Sequence, residues 1–177
     1  MDLKNDFDDW QEFNEATIKY LRENPVEGKV IIYYLMKPSF HSWVRVVFFV
    51  EKSEQFKLDV AIWNQQDDAA KMLNLLEKVK MFGNFKPAIQ CSVTELNPNQ
   101  IKQILNLIQQ IVKAKIEYEH DNIIGLDGVY HELEINYGDI YKKFDWHSFP
   151  KKWNLMIELS NILIEFSTLN KKSLSLD

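Results

Sequence analysis

Apolar positions along the chain change period several times, and each change marks an element. Trp10, Phe13, Thr17, Tyr20 and Leu21 recur at three and four residues, so a first helix is predicted over about 8–23. Asn24-Pro25 and Gly28 end it. KVIIYYLM at 29–36 is β-branched and aromatic throughout and closes at Pro38, and WVRVVFFVE at 43–51 has the same character. Both are apolar on two faces, as strands covered from both sides are. In FKLDVAIW, 56–63, Phe56, Leu58, Val60 and Ile62 alternate with more polar residues, which predicts an edge or half-exposed strand. Asp67 and Asp68 are expected to cap a helix reaching about Lys80, with Ala69, Met72, Leu73, Leu76 and Val79 on one stripe.

Gly83-Asn84 marks a turn, and KPAIQCSVTE at 86–95 alternates with Ile89, Cys91 and Val93 expected inward. Asn97-Pro98 is a strong helix start, a capping side chain followed by proline at the first helical position. That helix aligns Ile101, Ile104, Leu105, Ile108, Ile111 and Val112 and is predicted to reach about Lys115. Two or three strands are expected within 116–147, punctuated by Asp127-Gly128 and Tyr137-Gly138-Asp139. Pro150 is expected to open a last helix over about 150–168. Its polar residues Asn154, Glu158, Asn161 and Glu165 form one narrow stripe, so the rest of its surface should be covered. The order α-βββ-α-β-α-βββ-α describes an α+β fold, mainly antiparallel sheet with helices packed on it. No linker-like or low-complexity stretch divides residues 1–177, which read as one domain. A faint echo runs through the chain: Trp63 and Trp146 each end a strand, and apolar residues follow both at matching offsets, as Met72 and Leu155 do.

At 177 residues, 46% apolar and 13% aromatic, the chain is long enough to bury a substantial core. The longest apolar run, Val30 to Met36, is seven residues and too short for a membrane span. The first residues, MDLKNDFDDW, are acidic where a secretory leader would be basic and then apolar. One cysteine makes no internal disulfide, which agrees with a reducing, cytoplasmic setting.

Charge is concentrated at one end. Residues 1–15 hold Asp2, Asp6, Asp8, Asp9, Glu12 and Glu15 against Lys4, a net −5, while the remaining chain is neutral. A nucleic-acid binder needs a basic face to displace counterions, so nucleic acid is not the expected partner. An acidic helix suits a protein with a basic surface. Asp6, Asp8, Asp9, Glu12 and Glu15 are therefore candidate partner-binding residues. The same acids have a structural use, since Asp8 or Asp9 would cap the helix and acids favour its first turn through the dipole.

Motifs of common catalysis are missing: no GxGxxG, P-loop, GxSxG, HExxH or CxxC occurs. Five glycines leave little for a phosphate-cradling loop. Cys91 falls on the apolar side of its strand, where a thiol is buried and unreactive. His41, His120, His131 and His147 do not fall at helical metal-ligand spacings, so neither metal nor cofactor is expected. One constellation is sharper. If Gly138-Asp139 is a two-residue loop, Tyr137 opposes Ile140 and the register follows. Leu133 then faces Phe144, and His131 faces Trp146, on an inner side. Glu132 faces Asp145, Tyr130 faces His147 and Glu134 faces Lys143 on the other. Opposed carboxylates are unfavourable unless a cation, a basic partner or a shared proton relieves them. Tyr130, Glu132, Asp145 and His147 are thus a candidate partner-binding cluster, or in a small hydrolase an acid/base or metal site. As plain structure, they would be a solvated surface with Lys143 as a diagonal neighbour, or a bulge would shift the register.

Tyr33, Tyr34, Phe40, Trp43, Phe48 and Phe49 crowd two neighbouring strands. They fill a core, or they form an apolar sheet face covered by another subunit, as in a homodimer.

The closing residues, LDGVYHELEINYGDIYKKFDWHSFPKKWNLMIELSNILIEF, resemble a cassette of small bacterial proteins: Leu-Asp-Gly, an alternating strand, a glycine turn, a strand ending in Trp, and a Pro-x-x-Trp helix. Here these are Leu126, Asp127, Gly128, Tyr130, Leu133, Gly138, Trp146, Pro150, Trp153 and Leu159. Some such proteins look like immunity proteins, which bind and block a cognate toxin. The resemblance implies a non-catalytic inhibitor and carries over no catalytic residue. The expected function is therefore protein binding of the immunity type. A homo-oligomeric assembly protein and a small hydrolase built on Glu132, Asp145 and His147 stand as the alternatives.

Overall fold

The β-branched and aromatic segments pair side by side in the computed structural model, which describes residues 3–23, 26–38, 42–72, 87–114, 128–147 and 153–167. Helix α1 is Leu3–Glu23, and strands β1 (Lys29–Pro38), β2 (Trp43–Val50) and β3 (Phe56–Trp63) follow it. Next come helix α2 (Gln65–Met72), strand β4 (Ile89–Glu95), helix α3 (Pro98–Lys113), strands β5 (Val129–Tyr137) and β6 (Ile140–His147), and helix α4 (Asn154–Phe166). The strands form one sheet in the order β4-β3-β2-β1-β5-β6, every neighbouring pair antiparallel. This is the α+β class, in the expected order. The last strand group shows two strands, and the third allowed for falls on 115–127, outside the described residues.

Each face of the sheet is covered by different helices. On one face Val44, Val46, Phe48, Ile32, Tyr34, Leu133 and Ile135 meet Ile104, Ile108 and Ile111 of α3 and Met156, Leu159 and Leu163 of α4. On the other, Phe13 and Leu21 of α1 pack on Ala61 and Trp63, with Trp10, Trp43 and Ile89 at the margin. β1 and β2 are buried on both sides, as their composition required. Tyr34, Phe48 and Phe49 lie inside the chain and Tyr33 and Trp43 are half-buried, so among the described residues these aromatics form no open apolar face. Phe40 lies outside the described residues.

Capping chemistry sets the helix ends. The Asn97 side chain accepts from the backbone N–H groups of Asn99 and Gln100, and the Gln100 side chain accepts from the Asn97 N–H: a complete capping box with proline next to it. At α2 the expected caps are wrong. Asn64 takes that role, accepting from the Asp67 N–H at 3.3 Å. Asp68 is instead fully buried, accepting from the Trp63 indole at 2.8 Å, the Ala88 N–H at 2.7 Å and Lys71 at 2.9 Å. Its stripe residues Leu73, Leu76 and Val79 lie outside the described residues. Helix α1 begins at Leu3, so neither Asp8 nor Asp9 caps it. Helix α4 starts at Asn154, with Pro150 outside the described residues, and its predicted stripe Asn154, Glu158, Asn161 and Glu165 is exposed.

Two strand readings are corrected. β3 is interior, between β2 and β4, and its Asp59 is accommodated there by pairing with Arg45 of the neighbouring strand. β4 is the edge, and of its residues expected inward Ile89 alone packs, half-buried, at the margin of the α1 cluster: Cys91 is exposed and Val93 is 58% exposed. The tryptophan echo is not one repeated unit, since Trp63 packs under α1 and Trp146 on the opposite face with α4. Among the described residues no helix is long and apolar enough to cross a membrane.

Candidate functional site

The β5–β6 hairpin turns at Gly138, whose φ of +64° suits the first residue of a two-residue II′ loop. The register is the expected one: Tyr137 opposes Ile140, Glu132 opposes Asp145, and Tyr130 opposes His147. Tyr130, Glu132, Asp145 and His147 therefore share one side of the hairpin. That side is not open throughout, because the C-terminal end of α1 reaches over Glu132, whose carboxylate is 2% exposed. Arg22 donates to one of its oxygens and Lys143 to the other at 3.0 Å, while Lys143 also donates to Glu134 at 2.8 Å. The cations relieve the opposed carboxylates. Hydrogen bonds to Glu134 and Glu132 hold the Lys143 ammonium well above the ordinary lysine range.

The outer end of the cluster is more accessible. His147 is exposed, with its ring 4.9 Å from that of Tyr130. The Lys37 ammonium lies 4.1 Å from the Tyr130 centroid and 5.7 Å from that of Trp43. Burial lowers the Lys37 pKa, with Glu132 pulling the other way. Burial, with Asp145 and Glu132 nearby, raises the Tyr130 phenol. Chemically this is an ion-paired seam that fixes α1 to the sheet, with a cation–aromatic rim. Among the described residues no group of three His, Cys, Asp or Glu side chains is placed to hold a metal ion.

Helix α1 is held by its apolar face. Trp10 and Phe13 stack at 6.0 Å, and both approach Trp63 at 6.2 and 6.4 Å. Thr17 returns its hydroxyl proton to the Phe13 carbonyl at 2.8 Å, which lets a polar residue sit fully buried. Arg45 of β2, buried and missed in the sequence, donates to the Leu21 carbonyl at 2.9 Å and to Asp59. A lone arginine inside WVRVVFFV was the available signal. Burial raises the Asp59 carboxyl, and Arg45 lowers it.

With this face down, the opposite face is acidic. Glu12 and Glu15 are exposed, Asp9 is half-buried, and Gln11 donates to Glu15 at 3.4 Å. The side chains of Asp6 and Asp8 lie outside the described residues, although the helix backbone runs through both. Because the helix starts at Leu3, Asp9, Glu12 and Glu15 stand beyond its first turn, where the dipole rewards negative charge little.

Between α4 and strands β1, β5 and β6 lies a cavity of about 460 Å³. Its polar lining is Tyr34, His131, Trp146, Ser160, Asn161 and Glu165. The rings of Trp146 and His131 stack at 4.9 Å and 8°, and Tyr34 continues the stack at 6.0 Å and 20°. The Tyr34 hydroxyl and His131 Nδ1 share a hydrogen bond of 2.8 Å. Burial drives the His131 pKa down to about 4, so the ring is neutral near pH 7. No single residue in the sequence announced this cavity; it needs strand register and helix placement together.

Compared with known protein families, curated proteins and solved structures, the chain has no match.

Proposed function

We propose that this chain is a non-catalytic protein-binding module, an immunity-type inhibitor that meets a basic surface on a cognate bacterial toxin with the outer face of α1. The observation that carries this reading is the placement of Glu12 and Glu15. They are exposed on a helix whose other face is fixed by Phe13, Thr17, Leu21 and the Arg22–Glu132 pair. Neither acid has a cation within ion-pair distance among the described residues, and both lie beyond the first turn. Helix capping and the dipole therefore do not account for them. A rigid acidic face brings fast, salt-dependent association with a basic partner. Asp6, Asp8 and Asp9 extend the charge along the same helix. Tyr130, Asp145 and His147 add a polar rim on the same side of the sheet, while Glu132 acts beneath it as an anchor.

The test uses a tagged chain against lysate of its native organism at low and moderate salt. One stoichiometric, basic partner that leaves as salt rises is the expected result, and triple reversal of Asp9, Glu12 and Glu15 to lysine should abolish its retention. If the reversed chain holds the partner with the same salt dependence, the α1 reading fails. A second reading has one observation in its favour. β4 leaves a strand edge with Val93 and Cys91 exposed, and such edges pair with further strands, including those of a second copy. Light scattering of the purified chain separates that assembly from a monomer.

A further inference from the structure

The cavity between α4 and the sheet lies on the face opposite α1, so what it binds is independent of the acidic helix. Ordinary cores are filled at crystal-like density, and a space of about 460 Å³ is of the size that holds a ligand. Its lining selects by chemistry. Met36, Val129, Ile157 and Ile164 supply apolar walls for a ring-sized body. The stacked Tyr34, His131 and Trp146 rings add an aromatic wall. Tyr34 and His131 already bond each other, and Ser160 donates to the Met156 carbonyl at 2.8 Å. The Trp146 ring lines the cavity and stacks on His131, while its buried indole N–H has no hydrogen-bond partner among the described residues. At the mouth stand Asn161 and Glu165, both exposed. Among the described residues no lysine or arginine lines the cavity, and the Glu165 carboxylate at its mouth disfavours an anion.

We propose that this cavity is a binding site for a small aromatic amine. Its ring lies among Met36, Val129, Ile157 and Ile164 beside the Trp146 ring, and its ammonium faces Glu165. Tyramine is the probe, and 4-hydroxyphenylacetate, of the same ring and similar length but opposite charge, is its control. Both are titrated into the ¹⁵N-labelled full chain, with the Trp146 indole resonance assigned by its loss in Trp146→Phe. Tyramine should shift that resonance and the amides of 157–165 saturably, the anion should leave them in place, and Glu165→Gln should weaken tyramine about fivefold. Glu165 is exposed, so that variant keeps the fold. The proposal is overturned if tyramine leaves the Trp146 resonance unmoved, if both probes shift it equally, or if Glu165→Gln binds as the parent does.

Discussion

Arg22 on α1 donates to the carboxylate of Glu132 on β5, joining residues 110 positions apart across the face of the sheet. Glu132 is almost fully buried, whereas Arg22 and Lys143 keep about two-fifths of their side chains in solvent. The two ends of this network therefore respond differently to substitution. Glu132→Gln removes the negative charge that Arg22 and Lys143 share and turns one of its two accepting oxygens into a donor, which weakens the attachment of α1. Partial exposure of the cations moderates the loss to about 1–2 kcal/mol, or roughly 2–8 °C in Tm. Arg22→Ala leaves Lys143 in place and should cost less than about 1 kcal/mol. Urea denaturation of the two variants checks the order, and an equal or larger effect of Arg22→Ala would contradict it.

His131 makes stability depend on pH. Its ring faces Tyr34 on β1 and Trp146 on β6, with His147 further along β6 and Glu165 of α4 at the mouth of the same cavity. Burial, then the nearby His147, lowers its pKa from 6.5 to about 4. The unfolded chain therefore binds a proton between these values while the folded chain does not. The contribution is fully present above pH 6.5 and is lost as pH falls toward about 4. It amounts to about 3 kcal/mol at most. Urea midpoints of the parent and His131→Asn across pH 7 to 4 should converge as pH falls, because the substitution removes this slope and leaves the carboxylate contributions. Parallel profiles would show that His131 titrates normally.

Much of the architecture was readable because local chemistry and tertiary position agreed. Gly138-Asp139 fixes a turn, the turn fixes a register, and the register places Glu132 opposite Asp145 without further information. Asn97, Pro98 and Gln100 settle the start of α3 within four residues. The failures occur where a distant element decides. Asp68 looks like a cap from its neighbours, yet Trp63 and Ala88 draw it into the interior and leave the cap to Asn64. Cys91 and Val93 alternate like buried residues, but their strand is last in the sheet. Glu132 looks like a surface acid because nothing in 128–147 reveals that α1 crosses above it. For the same reason the α1 acids were legible as charge, and their freedom from a capping role was not.

The capping box of α3 gives a local prediction. Asn97→Ala removes the acceptor of the Asn99 and Gln100 N–H groups at an exposed position. The loss should be about 1 kcal/mol, or roughly 2–4 °C in Tm, with Asn97→Asp recovering most of it. Asp offers the same oxygen and adds a favourable charge at the N-terminus. Thermal unfolding of the pair tests the cap itself, since a packing role for Asn97 would leave Asp no better than Ala.

Exposure of Cys91 predicts chemistry that a buried thiol would not show. The side chain lies on the edge strand, opposite Ala61, with Asp59 on that same neighbouring strand and Arg45 one strand further on. Partial burial raises its pKa, Asp59 raises it further, and Arg45 lowers it. Accessible but short of thiolate, it should react once per folded chain with a disulfide reagent, slowly at neutral pH. The rate should climb with pH and still be rising at pH 9, where a free thiol is already half ionised. Labelling before and after urea unfolding separates the two properties. A native chain that reacts only after unfolding would place Cys91 inside the sheet. A native rate at neutral pH above that of the unfolded chain would mean that Arg45 outweighs burial and Asp59 in setting the thiol.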